Sequence, residues 1–228
     1  MDLRADSAND VLILAEKRRE MVFAMVDDLK DFAMDWFGSS LQDAALDYLE
    51  PFRFNDGMEL KVFGLYIWWS IFTEPVFDHR LTIFQLYAKK ERLRLKNKPF
   101  LRRVLASWCK VRPGFYEVKK FYHPRVFLIE DVFDYSLKKV IVYNHIYEPA
   151  SIGDLVTGIV FPLGDGTYTS LFDFLQLPPY IVPVLQEEQH RKHPQKDLVI
   201  RYPHILRRIM YEMMAVETYC LAAKNRTK

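Results

Sequence analysis

The apolar residues in the first part of the chain recur every three or four positions, which is the spacing of one helix face. Gly38-Ser39-Ser40 predicts the end of this helix, because glycine favours helix C-termini and serine caps the start of a following helix. A second short helix is then expected over 41–50, ending at Pro51. The apolar positions that define the first helix are Val11, Leu14, Val22, Val26, Leu29, Ala33 and Trp36.

Three more helices are predicted over 58–73, 79–94 and 98–110, with prolines between them. The run Val62–Thr73 carries no charge and indicates a buried helix, yet it is shorter than the roughly 18 residues that a membrane span needs. Large aromatic side chains stabilise most when they are buried, so those of this region are expected in the core. They are Trp68, Trp69, Phe72, Phe77 and Phe84.

Between residues 115 and 172 the pattern changes to short β-branched and aromatic runs that are separated by turn residues. This spacing is typical of an antiparallel meander or small barrel, here of about five strands. Leu163–Thr167 indicates a hairpin turn, because its two glycines permit a positive φ. After Pro178-Pro179 the pattern is helical again, and the last helix is expected from Pro203 to about Ala223.

These patterns predict an α+β protein with a helical N-terminal half, a small antiparallel β barrel or meander, and a helical C-terminal tail. The expected segments are 1–112, 113–176 and 177–228, within one compact unit. The 228 residues are enough for a sizeable core. Half of them are apolar and 27% are charged, which excludes an intrinsically disordered chain.

The net charge of +2 conceals a strong asymmetry along the chain. Residues 1–60 carry 14 acidic and 6 basic side chains, whereas 61–128 carry 15 basic and 4 acidic ones. The densest basic segment is Lys89–Arg103, with eight bases and the single acid Glu91. Clustered lysines and arginines bind phosphate backbones by releasing counterions, so this segment indicates a nucleic-acid interface.

The candidate interface consists of the bases in this segment and three bases on the first predicted strands. Nearby aromatic residues offer surfaces on which unpaired bases can stack. Two other interpretations stay open: a solvated corner between helices, or docking of the segment on the acidic first helix. The candidate nucleic-acid-binding residues are Lys89, Lys90, Arg92, Arg94, Lys96, Lys98, Arg102, Arg103, Lys119, Lys120 and Arg125. The candidate stacking residues are Phe84, Tyr87, Phe100, Phe115, Tyr116, Phe121 and Tyr122.

Three other groups of residues are weaker candidates for metal binding or catalysis. Asp27, Asp31 and Asp35 place carboxylates on one helix stripe, as magnesium sites require, but no second acidic motif accompanies them, so a solvent-facing stripe is expected. His190 and His193 flank two cations without further ligands at zinc spacing, which favours an exposed turn. Cys109 lacks the context of a catalytic nucleophile and is expected to be a buried cysteine at a helix end. No catalytic residue, metal or cofactor is therefore predicted.

Several motifs between residues 62 and 170 mark helix ends, strands and turns. They are Trp68-Trp69, Phe77-Asp78-His79-Arg80-Leu81, Leu105–Trp108 with Gly114-Phe115-Tyr116-Glu117-Val118, Ile152-Gly153-Asp154-Leu155, and Phe161-Pro162-Leu163-Gly164-Asp165-Gly166. These motifs resemble those of an uncharacterised bacterial family with an N-terminal helical region, a small β module and often a C-terminal zinc motif of the SEC-C type. The resemblance implies that architecture and little chemistry. With only Cys109 and Cys220, this chain lacks the zinc motif.

The sequence thus favours a non-enzymatic cytoplasmic binding protein, with RNA or a ribonucleoprotein as its partner. One alternative is a protein–protein adaptor or regulator that acts through its acidic N-terminal helix or its apolar C-terminal helix. A third is a metal-dependent hydrolase or transferase that uses Asp27, Asp31 and Asp35. Catalysis is left open with a non-enzymatic role favoured, no membrane association is expected, and the oligomeric state is not predicted.

Overall fold

The computed structural model describes residues 3–52, 56–76, 80–143, 150–171, 174–190 and 196–226. Within them the chain is α+β, as predicted, with its N-terminal half helical. The helices are α1 Leu3–Leu49, α2 Asp56–Thr73, α3 Ile83–Arg94, α4 Pro99–Trp108, α5 Val182–His190 and α6 Lys196–Arg226. The strands are β1 Pro113–His123, β2 Val126–Asp131, β3 Leu137–Ile141, β4 Leu155–Ile159, β5 Phe161–Pro162, β6 Tyr168–Thr169 and β7 Leu175–Leu177.

Helix α1 is continuous through Gly38-Ser39-Ser40, so the predicted break there is wrong. A glycine inside a helix costs only about 1 kcal/mol relative to alanine. The buried face that includes Leu29 and Ala33 continues beyond the glycine, and its packing outweighs that cost. The residues that continue it are Leu41, Ala45, Tyr48 and Leu49.

Local signals set the starts of α3 and α4. Thr82 caps α3: its hydroxyl accepts a hydrogen bond from the Gln85 amide at 3.2 Å, and the Gln85 side chain accepts one from the Thr82 amide at 3.0 Å. This capping box explains why α3 begins at Ile83 and not at the predicted residue 79. Pro99 occupies the first turn of α4, where its missing N–H has no helical partner to lose.

Within the described residues the sheet has seven strands in the order β5-β6-β3-β2-β1-β4-β7, which corrects the predicted five-stranded antiparallel unit. All neighbours are antiparallel except β3 and β6, which pair in parallel. Strands β5, β6 and β7 have only two or three residues, too few to show an alternating pattern. Only Val160 separates β4 from β5, although the two lie near opposite ends of the strand order. The sheet must therefore curl into a half-barrel.

Two cores lie on the two faces of this curled sheet. Phe115 on β1 belongs to the main core, where its ring is 4.9 Å from that of Tyr202 on α6. The next residue, Tyr116, points to the other face and joins a smaller core that contains no helix residue. Because only the sheet and its connecting segments supply this second core, it fills the concave side of the half-barrel. Its members are Tyr116, Val118, Phe127, Ile129, Val140, Val142, Ala150, Val156, Val160 and Phe174.

The predicted aromatic core is confirmed for the four residues that the structure describes, Trp68, Trp69, Phe72 and Phe84, all of which are buried. Phe77 lies outside the described residues. Pro203 was predicted in the first turn of the last helix, but it lies inside α6. Its carbonyl accepts a hydrogen bond from the Tyr48 hydroxyl of α1 at 3.1 Å, so α6 packs on the helical half at this point. Among the described helices, none is both long and apolar enough to cross a membrane.

Candidate nucleic-acid interface

The segment Lys89–Arg103 forms an exposed corner between α3 and α4, which we call the basic corner. Buried side chains of α3, α4 and the turn between them hold it on the helical half: the Tyr87 hydroxyl, just before the segment, donates to the Met25 carbonyl of α1 at 3.2 Å, and Leu95 and Leu101 within it are buried. Because these positions face inward, the charged positions between them face solvent. All eight bases of the basic corner are exposed.

Arg94 is the base of the corner that docks on the acidic first helix. It pairs with Asp28 of α1 and with Glu91 one turn earlier on α3. The hydrogen bond to Asp28 raises the pKa of Arg94, against a smaller opposing effect of burial. The acid that meets the corner is thus Asp28, beside the predicted stripe of Asp27, Asp31 and Asp35 and not part of it.

The remaining bases of the corner are differently placed. Lys90 lies over the Phe32 ring of α1, with Nζ 5.0 Å from the ring centre. The other six make no ion pair or aromatic contact with any residue in the described ranges. Their charges are therefore available to an anionic partner. These six are Lys89, Arg92, Lys96, Lys98, Arg102 and Arg103.

The predicted bases on β1 do not behave alike. Lys119 donates to Glu117 at 2.9 Å and to Glu130 at 3.0 Å. These two carboxylates lie directly opposite each other on β1 and β2, where like charges repel. The hydrogen bonds that Lys119 donates, first to Glu117 and then to Glu130, raise its pKa. Lys119 neutralises a cross-strand repulsion and is engaged within the fold.

Lys120 belongs to an exposed cluster on the convex face of the sheet. Lys120 of β1, Leu128 of β2 and Lys139 of β3 are successive cross-strand partners. The two lysines reach the ring of Tyr122, with Nζ atoms 5.0 Å and 5.3 Å from its centre. Tyr122 is 55% exposed. The cluster combines two positive charges with an accessible aromatic surface.

Two consecutive arginines of α1 connect the basic corner with this cluster. Arg18 lies over Phe100 of α4 at 5.3 Å, and Arg19 lies over Tyr143, just beyond β3, at 4.9 Å. The adjacent Val142 amide donates to the Arg125 carbonyl at 2.9 Å, which brings Arg125 to the same place. Glu16 takes up part of this charge through its 2.9 Å pair with Arg19.

We call the combined surface the basic band. The sequence pattern predicts its two ends but not Arg18, Arg19 and Lys139, because residues so far apart in the sequence meet only through the tertiary fold. A weak signal is present in Lys17-Arg18-Arg19, the only basic run in an acidic segment. The basic band consists of the basic corner together with Arg18, Arg19, Lys120, Tyr122, Arg125 and Lys139.

Most of the predicted stacking residues are not accessible. Phe84, Tyr87, Phe115 and Tyr116 are buried, and Phe100 and Phe121 are half-buried. Tyr122 is the one residue of the seven that is exposed. The two cores cover both faces of the first half of β1, where Phe115 and Tyr116 lie, whereas Tyr122 belongs to neither core.

The mouth of the half-barrel forms a cleft that no sequence pattern predicts. Its volume is about 850 Å³, and it lies between the ends of α2 and α4 and the concave face of the sheet. Arg112 donates to Asp134 at 2.9 Å, and Lys138 donates to the buried Asp131 at 3.2 Å. Asp131, Asp134 and Lys138 lie close together in the β2–β3 hairpin, and Arg112 precedes β1. Strand register brings them together.

The polar groups of the cleft largely satisfy one another. Burial raises the pKa of Asp134, but the hydrogen bonds from Ser136 and the nearby charges of Lys138 and Arg112 outweigh it, and the pKa is lowered overall. Burial also raises the pKa of Tyr116 well above its usual value, so this phenol is neutral. Lys138 lies over the Tyr116 ring at 5.0 Å and also donates to the Ser136 hydroxyl at 2.7 Å. The charged groups of the cleft therefore pair with one another, next to its apolar lining.

The other sequence candidates lie apart from the basic band. Asp27, Asp31 and Asp35 are exposed, and no group of three potential metal ligands occurs among the described residues. His190 is exposed at the end of α5, and His193 lies outside the described residues. Cys109 ends α4 as predicted but is exposed, not buried, because it follows the buried Trp108 and faces the cleft.

The predicted hairpin turn is confirmed between β5 and β6. Gly164 and Gly166 have φ values of +87° and +88°. The Asp165 carboxylate accepts hydrogen bonds from the amide and the hydroxyl of Thr167, at 2.9 Å and 2.6 Å. This segment is a turn and has no helix N-terminus that could bind phosphate.

Comparison of the chain with known protein families, with curated proteins and with solved structures gave no match. The resemblance to the bacterial family described above therefore stays a prediction.

Proposed function

We propose that this protein is a non-enzymatic, cytoplasmic nucleic-acid-binding protein whose partner is RNA, alone or within a ribonucleoprotein. The observation that carries the proposal is the basic band, in which Arg18 and Arg19 join the basic corner to the lysine pair on the sheet. Six bases of the corner have no ion pair or aromatic contact among the described residues.

Electrostatics gives the physical reason. Each lysine or arginine that neutralises a phosphate releases a condensed counterion, so an extended row of free cations produces tight and salt-sensitive binding. A protein partner would need an apolar centre that excludes water, whereas the basic corner offers flexible, solvated side chains. Such side chains fit a phosphate backbone better than a packed interface.

The test is a salt titration of binding to a short RNA of mixed sequence. The variant Lys96→Glu/Lys98→Glu reverses two charges in the turn between α3 and α4. For single strands each lost phosphate contact lowers the log–log salt slope by about 0.7, so we expect the slope to fall by about 1.4 and the affinity to fall for every sequence tested.

Lys30→Glu/Lys61→Glu is the matched control, because it makes the same change in net charge outside the basic band. Lys30 is two positions from both Asp28 and Phe32, so helix geometry places it on the far side of α1 from α3. This variant should retain the wild-type slope. The Lys96/Lys98 variant should keep the wild-type free energy of unfolding within about 0.5 kcal/mol, as changes at exposed positions usually do. Lys61 is half-buried, so the stability of the control variant is measured alongside.

Three outcomes would contradict the proposal. They are an absence of RNA binding by the wild-type protein at low salt, an equal loss of affinity in the control and test variants, and a lower unfolding temperature of the Lys96/Lys98 variant without a change in slope. The last result would favour docking of the basic corner within the fold.

A further inference from the structure

Tyr122 lies at an irregularity of β1 that changes the direction of its side chain. The β1–β2 register shifts at two places: between Val118 and Lys120, and again between Phe121, which pairs with Phe127 of β2, and His123, which pairs with Val126. Tyr122 is thus the extra residue of a β-bulge. Bulges break the regular alternation of a strand and redirect a side chain, often beside a functional site.

The surroundings of the ring are those of a stacking surface. Phe121 packs against the concave core, whereas the Tyr122 ring reaches lysines of both β1 and β3 and therefore extends across the convex face of β2. The structure keeps 55% of this residue exposed, although an aromatic ring is usually buried. Nothing in the packing of the sheet requires an exposed aromatic ring at this position.

We propose that Tyr122 stacks on an unpaired base, so that the ligand of the basic band is single-stranded RNA. This inference rests on the proposed function. Bases in a duplex are already stacked on both faces and cannot reach a side chain that lies on a sheet, whereas single-strand-binding surfaces combine aromatic rings with a basic track.

Lys120 and Lys139 also contribute to RNA binding in this proposal, through the phosphates beside the stacked base. In the free protein their ammonium groups contact the Tyr122 ring. A base that stacks on the ring displaces them, and the two flexible side chains then reach the flanking phosphates. The site thus recognises a base and its two neighbouring phosphates, without preference for the identity of the base.

The experiment compares three probes by fluorescence anisotropy: an oligouridine, the same oligomer with its bases removed (abasic), and an RNA hairpin. We expect the wild-type protein to bind the oligouridine best. Tyr122→Ala should weaken oligouridine binding roughly tenfold and leave the other two affinities unchanged. Tyr122→Phe should retain wild-type binding, because the stacking ring remains.

Tyr122→Leu is the third variant. It keeps an apolar side chain over β2, so it separates the loss of the ring from a local change in the sheet. It should lose oligouridine affinity as Tyr122→Ala does. An oligomer that contains 4-thiouridine should also photo-crosslink to Tyr122, as mapped by mass spectrometry.

The two proposals fail in different ways. Equal affinities of the wild-type protein for all three probes, together with an unaffected Tyr122→Ala variant, would overturn the stacking site and leave RNA binding through the basic band intact. Preference for the hairpin would do the same. Failure of the wild-type protein to bind any probe at low salt would overturn both.

Discussion

Arg94 differs from the other bases of the basic corner because it holds two helices together. Glu91 is buried, at 5% exposure, and its carboxylate pairs with Arg94, which also reaches Asp28 on α1. A buried carboxylate is costly unless a cation compensates it. One arginine of the corner is therefore structural, and its neighbours are free to bind a ligand.

Replacement of Arg94 by alanine should destabilise the fold. Loss of a fully buried partner can cost about 3–5 kcal/mol, but half of the Arg94 side chain is exposed, so solvent screening reduces the expected loss to about 1–2 kcal/mol. Chemical denaturation measures this loss. Arg92→Ala is the control and should change stability by less than about 0.5 kcal/mol. Adding Glu91→Gln to Arg94→Ala should restore part of the loss, and no recovery would contradict this role of Arg94.

At the scale of elements, two glycines illustrate opposite backbone demands. Gly38 lies inside α1, where an added Cβ atom would meet only Met34 at an ordinary 3.5 Å. Gly164 in the β5–β6 turn has a φ of +87°, and a Cβ atom there would come within 2.7 Å of Val104 on α4. The first glycine is replaceable and the second is required.

Gly38→Ala should therefore stabilise the protein by about 0.5–1 kcal/mol, because alanine restricts the unfolded chain and favours the helix. Gly164→Ala should instead destabilise it, since alanine suffers strain at this φ and displaces Val104. Thermal unfolding of the two variants provides the measurement. A loss of stability in Gly38→Ala would mean that α1 needs flexibility at that position.

The elements also differ in how well the sequence predicts them. Periodicity located α2, α3 and α4, and it placed most of the sheet within residues 115–172, because these patterns extend over several residues. It failed at Gly38, where packing of Leu41 and Ala45 overrides a local signal, and at the three-residue β7, which lies beyond residues 115–172 and is too short to show a pattern.

The candidate site, too, is predictable from the sequence only where its residues are contiguous. The basic corner is contiguous in the sequence and could be predicted as a charge cluster. The basic band and the cleft could not, since Arg18 meets Phe100 and Arg112 meets Asp134 only through helix packing and strand register. The exposure of Tyr122 depends on a β-bulge, which leaves no mark in a single sequence.

At the scale of the whole molecule, the main core joins all parts of the chain. Trp108 of α4 contacts Phe161 of β5 at 5.7 Å and donates to the Pro162 carbonyl at 3.1 Å. The Tyr202 hydroxyl of α6 lies 2.5 Å from the Thr157 hydroxyl of β4. The helical half, the sheet and the last helix thus share one apolar interior.

We accordingly expect one cooperative unfolding transition. Tryptophan fluorescence reports on the helical half, which contains all four tryptophans, and far-ultraviolet circular dichroism reports on the whole backbone. The two signals should give the same denaturation midpoint. Separate midpoints would show that the helical half and the sheet unfold independently.

The single residue between β4 and β5 has a mechanical consequence. Val160 joins two strands that lie near opposite ends of the sheet order, so this one residue closes the half-barrel covalently. This link fixes the circumference of the half-barrel, so the mouth of the cleft cannot widen unless two neighbouring strands between β5 and β4 in the sheet order separate. Any ligand that enters the cleft must therefore fit the opening at its present width. Residues inserted at Val160 would lengthen the link and admit larger ligands, at the expense of the hydrogen bonds that keep the sheet curled.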